Sequence, residues 1–245
     1  MSVEKLYGTW DTPRTDVNHL DRELQILWHE LAAQHVGTPE FQPNSGLSQR
    51  KNEVIELWKL FHFQQPKIIL EIGTAQGGTL AGWCRLAPTD ATIIFIDRCV
   101  NDCRPKPGDP VHPSVSTRSH AVTEDGGGAH YLARGHQRII PINGWSYDPA
   151  VMNMLLAALD GRKIDFLYHD ASHSKEMFAR DFKLYWPLVA EGGIFATHDV
   201  MHSNALECDK SVEWGRIRKE EEYSACYEYF SSRGHDSMGN GVLIK

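Results

Sequence analysis

The sequence predicts an α/β fold, a doubly wound and mostly parallel sheet, and three observations carry that expectation. Five short runs are apolar almost throughout: "KIILEI" (67–72), "TIIFID" (92–97), "RIIPIN" (138–143), "KIDFLYH" (163–169) and "GIFATHD" (193–199). Such runs read as strands buried on both faces, the state of a parallel sheet between helical layers. The segments between them carry helical period, and a chain of 245 residues suffices for one large domain.

Taken in order, helices are expected at 16–36 and 48–64, joined by "GTPEFQPNSG". They are too short a stretch for an independent core and read as an N-terminal helical cover, 1–66, on a main domain, 67–245. Further helices are expected at 78–87, 148–160 and 174–190, with a longer one near 210–232. In "SKEMFARDFKLYWPLVAEGG", Met177, Phe178, Phe182, Tyr185 and Leu188 recur at three- and four-residue steps as a core stripe, and Gly192 and Gly193 stop it. Residues 98–137 carry four prolines, three consecutive glycines and four histidines. A loop of that length reads as a lid or a disordered segment.

The formal charge of −7 and pI near 6.0 exclude the basic footprint of a protein that coats nucleic acid or an anionic membrane. A small-molecule partner is expected. No apolar stretch is long enough to span a bilayer, and the polar start "MSVEKLYGTWDTPRTD" lacks a signal peptide's apolar core, so the expected location is cytoplasmic. The five cysteines, Cys84, Cys99, Cys103, Cys208 and Cys226, form no CxxC pair and read as reduced thiols. The helical N-terminus is a candidate surface for a homo-oligomer.

Chemistry enters at the end of the first strand. In "EIGTAQGGTLAGW", Gly73, Gly77 and Gly78 make a glycine-rich turn between strand and helix, where backbone can approach a ligand and aim N–H groups at it. The pattern is G-x-x-x-G-G preceded by Glu71, not the G-x-G-x-x-G of a pyrophosphate site. An acid there suits a cationic ligand, reached directly or through water. The second strand ends in Asp97, placed to accept hydrogen bonds from ribose hydroxyls. The alternative is that the glycines only permit tight packing.

"EIGTAQGG" followed by "FID" resembles the cofactor site of class I S-adenosylmethionine-dependent methyltransferases, which implies a Rossmann-like sheet. The resemblance implies S-adenosyl-L-methionine contacts at Glu71, Gly73, Thr74, Gly77, Gly78, Asp97 and Asp170. "INGWSYDP" is similar to the G-x-S-x-D-P stretch that borders the adenine in related enzymes, which adds Gly144, Ser146 and Asp148. Ser146 or Asp148 reads equally well as the N-cap of a helix whose first residue is Pro149.

In this sheet the fourth and fifth strands are neighbours, so Asp170 and the pair His198–Asp199 converge beside the cofactor, a donor set for a divalent cation. "DASH" with "GGIFATHDV" resembles the metal-dependent small-molecule O-methyltransferases, a set that includes catechol, macrolide-sugar and cephalosporin-related enzymes. That resemblance implies Asp170, His198 and Asp199 as ligands of Mg, Mn or another first-row ion. It also implies His173 as the base that takes the substrate's proton. Imidazole where the family more often has an acid favours Mn, Fe or Zn over Mg. The alternative for His173 is a place at the start of the next helix, with Ser172 or Ser174 as cap. His169 reads as a packing or supporting residue.

On the substrate side, Trp10, His19, Trp145, His202 and the loop 98–137 are candidates to border an acceptor of sugar or natural-product type. Two other classes share these features: a nicotinamide-dependent oxidoreductase, and a metal-dependent hydrolase or non-catalytic binding protein.

Overall fold

Alternation of side chains along each strand divides the core into two layers, and the helices sort themselves accordingly. The computed structural model describes residues 14–33, 50–75, 77–98, 132–201, 209–230 and 238–245. Its strands are β1 (Ile68–Ile72), β2 (Thr92–Asp97), β3 (Arg138–Asn143), β4 (Ile164–His169), β5 (Val189–His198), β6 (Ala225–Tyr229) and β7 (Asn240–Ile244). Its helices are α1 (Arg14–Ala33), α2 (Lys51–Gln64), α3 (Gly78–Leu86), α4 (Pro149–Leu159), α5 (Lys175–Tyr185) and α6 (Lys210–Glu220).

The sheet runs β3-β2-β1-β4-β5-β7-β6. Pairing is parallel from β3 to β5, and β7 is antiparallel to both β5 and β6. Ile69, Ile93, Phe95, Phe166, Tyr168 and Ile194 face one layer, where Leu24, Leu27 and Leu31 of α1, Trp58 and Phe61 of α2 and Trp83 of α3 bury them. Leu70, Ile94, Leu167 and Phe195 face the other, against Val151 and Leu155 of α4, Phe178 and Phe182 of α5, and Trp214 and Ile217 of α6. Burial of this apolar surface is the main stabilising term.

The helix expected near 210–232 is shorter. It ends at Glu220, and Ala225–Tyr229 forms β6 instead, antiparallel to β7. "ACYEY" alternates aromatic and smaller or charged residues, which suits a half-buried edge strand, and Tyr227 stacks beside Tyr229. β7, "NGVLI", has no counterpart among the expected strands. Trp10, Cys99, Cys103, His202, Cys208 and most of the loop 98–137 lie outside the described residues. Among the described residues Cys84 and Cys226 are free thiols, and no helix is long and apolar enough to cross a membrane.

The order of strands brings the carboxyl ends of β1, β2, β3, β4 and β5 to one edge, where open α/β sheets bind their ligands. The candidate cofactor, metal and base residues are carried on those ends or in the turns and helix starts that follow them, whereas His19 lies on α1.

Candidate active site

The turn after β1 is organised from beneath. Glu71 is fully buried, and its carboxylate accepts hydrogen bonds from Thr74 Oγ1 at 3.0 Å, Thr79 Oγ1 at 2.5 Å and Trp83 Nε1 at 3.2 Å. Burial pushes its pKa up to about 7 in spite of those three donors. Glu71 therefore lies under the glycine turn and ties it to the start of α3. Thr74, also buried, is turned to Glu71. Gly73 has φ +87°, and its amide donates to Ile96 O. A Cβ there would press on the Asp170 carbonyl and lie 2.6 Å from Ala171 Cα, so this glycine lets the ends of β1 and β4 approach. Gly77 is left-handed at φ +82° and caps α3, whose first residue is the buried Gly78. Asp97 Oδ2 accepts from Ala75 N at 2.7 Å, which fastens the β1 turn to the end of β2.

Beyond β3, Gly144 has φ +140° and packs against Val151. Asp148 caps α4 by accepting from Ala150 N at 2.8 Å, with Pro149 at the first helical position. Ser146 is buried and donates to both oxygens of Asp181 at 2.8 Å. Trp145 is exposed, stacked on Tyr147 with ring centroids 5.6 Å apart and with the Arg98 guanidinium 4.8 Å above it. His19 lies exposed on α1, 3.8 Å from Glu23.

Asp181 belongs to a buried chain of polar groups under the site. His169 Nε2 lies 3.0 Å from Asp181 Oδ2, and Lys210 Nζ lies 3.2 Å from His169 Nδ1; all three residues are buried. Burial, joined by Lys210, lowers the His169 pKa against the pull of Asp181. A neutral imidazole with Nε2–H toward Asp181 and a bare Nδ1 toward the ammonium satisfies both neighbours. Lys210 also packs its ammonium 4.8 Å from the Phe178 ring, and its backbone N–H donates to His173 O at 3.1 Å. The sequence carries a signal for this lysine, since Lys210, Trp214 and Ile217 share one helical face and all are buried.

At the tips of β4 and β5 the remaining candidates meet. Asp170 N donates to Ile72 O at 2.8 Å, which fixes the end of β4 against β1. His198 Nδ1 lies 2.9 Å from Asp199 Oδ1 and 3.4 Å from Asp170 Oδ1. His173 Nε2 lies 3.0 Å from Asp199 Oδ2. One ligand atom from each of Asp170, His198 and Asp199 lies within 4.8 Å of the others. Ser174, rather than Ser172, caps α5 by accepting from Met177 N. His173 just before it stays half-exposed.

The electrostatics follow from that geometry. Burial disfavours charge on His198, but the carboxylates of Asp170 and Asp199 outweigh it and hold the imidazole up at about 10. For Asp199 burial raises the pKa, yet His173 and His198 together bring it well below the usual carboxylate range. The Asp199 carboxylate, which accepts from the His173 ring, raises the His173 pKa. Asp199 holds this place with φ +60°, a strained conformation for a non-glycine residue.

The sequence matches the methyltransferase-domain family over residues 70–200. Similar solved structures include the O-methyltransferase from Bacillus cereus in complex with S-adenosylhomocysteine, at 16% identity over 93% of this chain and 91% of that one, TM-score 0.53. Another is the O-methyltransferase TomG from Streptomyces achromogenes, involved in tomaymycin synthesis and solved with S-adenosylmethionine, at 16% identity over 95% and 98% of the two chains, TM-score 0.50. At such identity the likeness is one of fold: the mostly parallel, Rossmann-like sheet of the S-adenosylmethionine-dependent methyltransferases. No curated protein matches the sequence.

Proposed function

This chain belongs to the methyltransferase-domain family, and from that premise we propose that it transfers the methyl group of S-adenosylmethionine to a hydroxyl oxygen of a small molecule, assisted by a divalent metal. The observation that carries this reading is the chain of contacts from His173 through Asp199 to His198 and Asp170, at the adjacent ends of β4 and β5.

The residues present fit a metal. Two carboxylates and an imidazole from adjacent strand ends are a donor set for Mn, Fe or Zn in preference to Mg, and the imidazole is already drawn to both carboxylates. Asp170, His198 and Asp199 would hold the ion, which when bound lowers the pKa of a coordinated hydroxyl.

The chain's own residues supply the rest. With His173 Nε2 turned to Asp199, Nδ1 is the ring nitrogen left to take the acceptor's proton, and Asp199 both aims the imidazole and stabilises it once protonated. The acceptor oxygen forms the new C–O bond as the C–S bond breaks and a neutral thioether leaves. Glu71 supports the glycine turn from beneath, and Asp97 pins that turn to β2; with Gly73, Thr74, Gly77, Gly78, Gly144 and Ser146 they build the cofactor edge in this reading.

The test uses S-adenosylmethionine with a labelled methyl group and a panel of sugar and phenolic acceptors, before and after removal of metal by a chelator. Alkali-stable label in product, lost with chelator and restored by Mn, is the expected result. S-Adenosylhomocysteine that gives no thermal shift at millimolar concentration overturns the cofactor assignment. Full turnover in excess chelator overturns the metal.

A further inference from the structure

The imidazole of His198 has two edges in different surroundings. Nδ1 faces Asp170 and Asp199, whereas Nε2 is buried without a hydrogen-bond partner. A carboxylate from the N-terminal helices faces Nε2: Glu53 Oε2 on α2, 4.0 Å away. Glu53 is fully buried, an expensive state for an acid unless its surroundings compensate it. Its position in the first turn of α2 is favourable to negative charge. The same oxygen accepts from Gly239 N at 3.2 Å. Gly239 leads into β7, whose Asn240 is registered against His198 on β5.

The geometry points to Glu53 as the residue that positions His198 for the metal. A histidine that ligates a metal through one ring nitrogen nearly always directs the other toward a carboxylate, carbonyl or water, which fixes the tautomer and ring orientation. Glu53 occupies that place: it draws the Nε2–H edge of the ring toward α2 and leaves Nδ1 as the donor between Asp170 and Asp199. At 4.0 Å the attraction is electrostatic rather than a hydrogen bond, and in a buried site it is weakly screened. The helical N-terminus is then part of the centre, through one side chain. A sequence signal exists for this acid. Glu53, Leu57 and Leu60–Phe61 lie on one helical stripe, so Glu53 interrupts an otherwise apolar buried face.

This inference rests on the metal reading, and the experiment separates the two. Mn2+ and S-adenosylhomocysteine are titrated by calorimetry into the full-length wild type, Glu53→Gln and Glu53→Ala, and the electronic spectrum of the Co2+ form is recorded for each. Gln keeps the size of Glu and can still accept from Gly239 N, so it carries the test where the alanine variant fails to fold. The expected result is Mn2+ binding about 10- to 100-fold weaker, an altered Co2+ spectrum, and unchanged affinity for S-adenosylhomocysteine. A folded Glu53→Gln protein with wild-type Mn2+ affinity and spectrum overturns the role of Glu53 and leaves the metal site standing. Parallel loss of both affinities marks Glu53 as merely structural and overturns it too. A wild type that takes up no Mn2+ overturns the metal reading and this inference with it.

Discussion

His173 Nε2 and Asp199 Oδ2 lie 3.0 Å apart, so a half-exposed imidazole on the β4 side is joined to a buried carboxylate at the tip of β5. The other oxygen of the same carboxylate meets His198 at 2.9 Å. Asp199 thus links a histidine open to solvent with one that is not, and its strained backbone is the cost of facing both. In the proposed reaction this makes one residue answer to two tasks, orienting the base and holding the metal.

His173→Ala is a cleaner substitution than one at Asp199, because the imidazole is half-exposed whereas the carboxylate is buried. Turnover should fall by about 10²- to 10⁴-fold, the usual worth of a general base. Affinity for S-adenosylhomocysteine should stay as in the wild type. Steady-state rates and calorimetry check both, and unchanged turnover removes His173 from the mechanism.

Asp181→Ala should destabilise the fold more than any change at the exposed part of the site. Asp181 accepts from Ser146 and faces His169, which in turn meets the buried Lys210. Removing one member of a buried charged set leaves the others uncompensated, at about 3–5 kcal/mol. Urea unfolding measures the loss. Binding of S-adenosylhomocysteine should weaken as well, because Ser146 and the turn after β3 lose their anchor; a variant as stable as wild type would refute the charged relay.

The elements that set the fold were legible because each is local: an apolar strand such as "TIIFID", or the stripe in α5, announces its own burial. The candidate cofactor, metal and base residues lie at or just after the ends of β1 to β5, and those places can be read from the sequence because strand ends follow from strand limits. What the sequence hid is of another kind. The edge pair β6 and β7 is held by partners found only in the sheet, and the aromatic-rich stretch 223–229 carries both helical and alternating period. Glu53 and Lys210 acquire meaning only when α2 and α6 fold onto β4 and β5. Their one local trace, a charge on an apolar helical face, says that they are buried but not what they meet.

Gly73→Ala should damage both halves of the site at once. Its φ of +87° costs a side-chain-bearing residue about 1–3 kcal/mol, and the new Cβ would press on Asp170 and Ala171. The displaced residue is a proposed metal ligand. The expected outcome is a lower melting temperature together with weaker uptake of Mn2+ and of S-adenosylhomocysteine. Loss of cofactor affinity alone would mean that the glycine serves the ligand and not the approach of β1 to β4.

Glu71 gives a dependence of stability on pH whose sign is fixed by its burial. Its pKa rises from 4.5 when unfolded to about 7 in the fold, so between these values the folded protein binds the extra proton. Stability from this group is therefore fully present below pH 4.5 and is lost as pH rises through about 7, by up to about 3 kcal/mol. Glu71→Gln removes the titration without emptying the site. The amide oxygen can serve Thr79 and Trp83, while the amide NH2 faces Thr74, whose hydroxyl can turn to accept. Urea unfolding at intervals from pH 5 to pH 8 should show the wild type losing stability relative to Glu71→Gln, and the difference cancels other groups that titrate in that window. A difference that stays flat would mean that Glu71 remains ionised in the fold, its charge carried by the two threonines and Trp83.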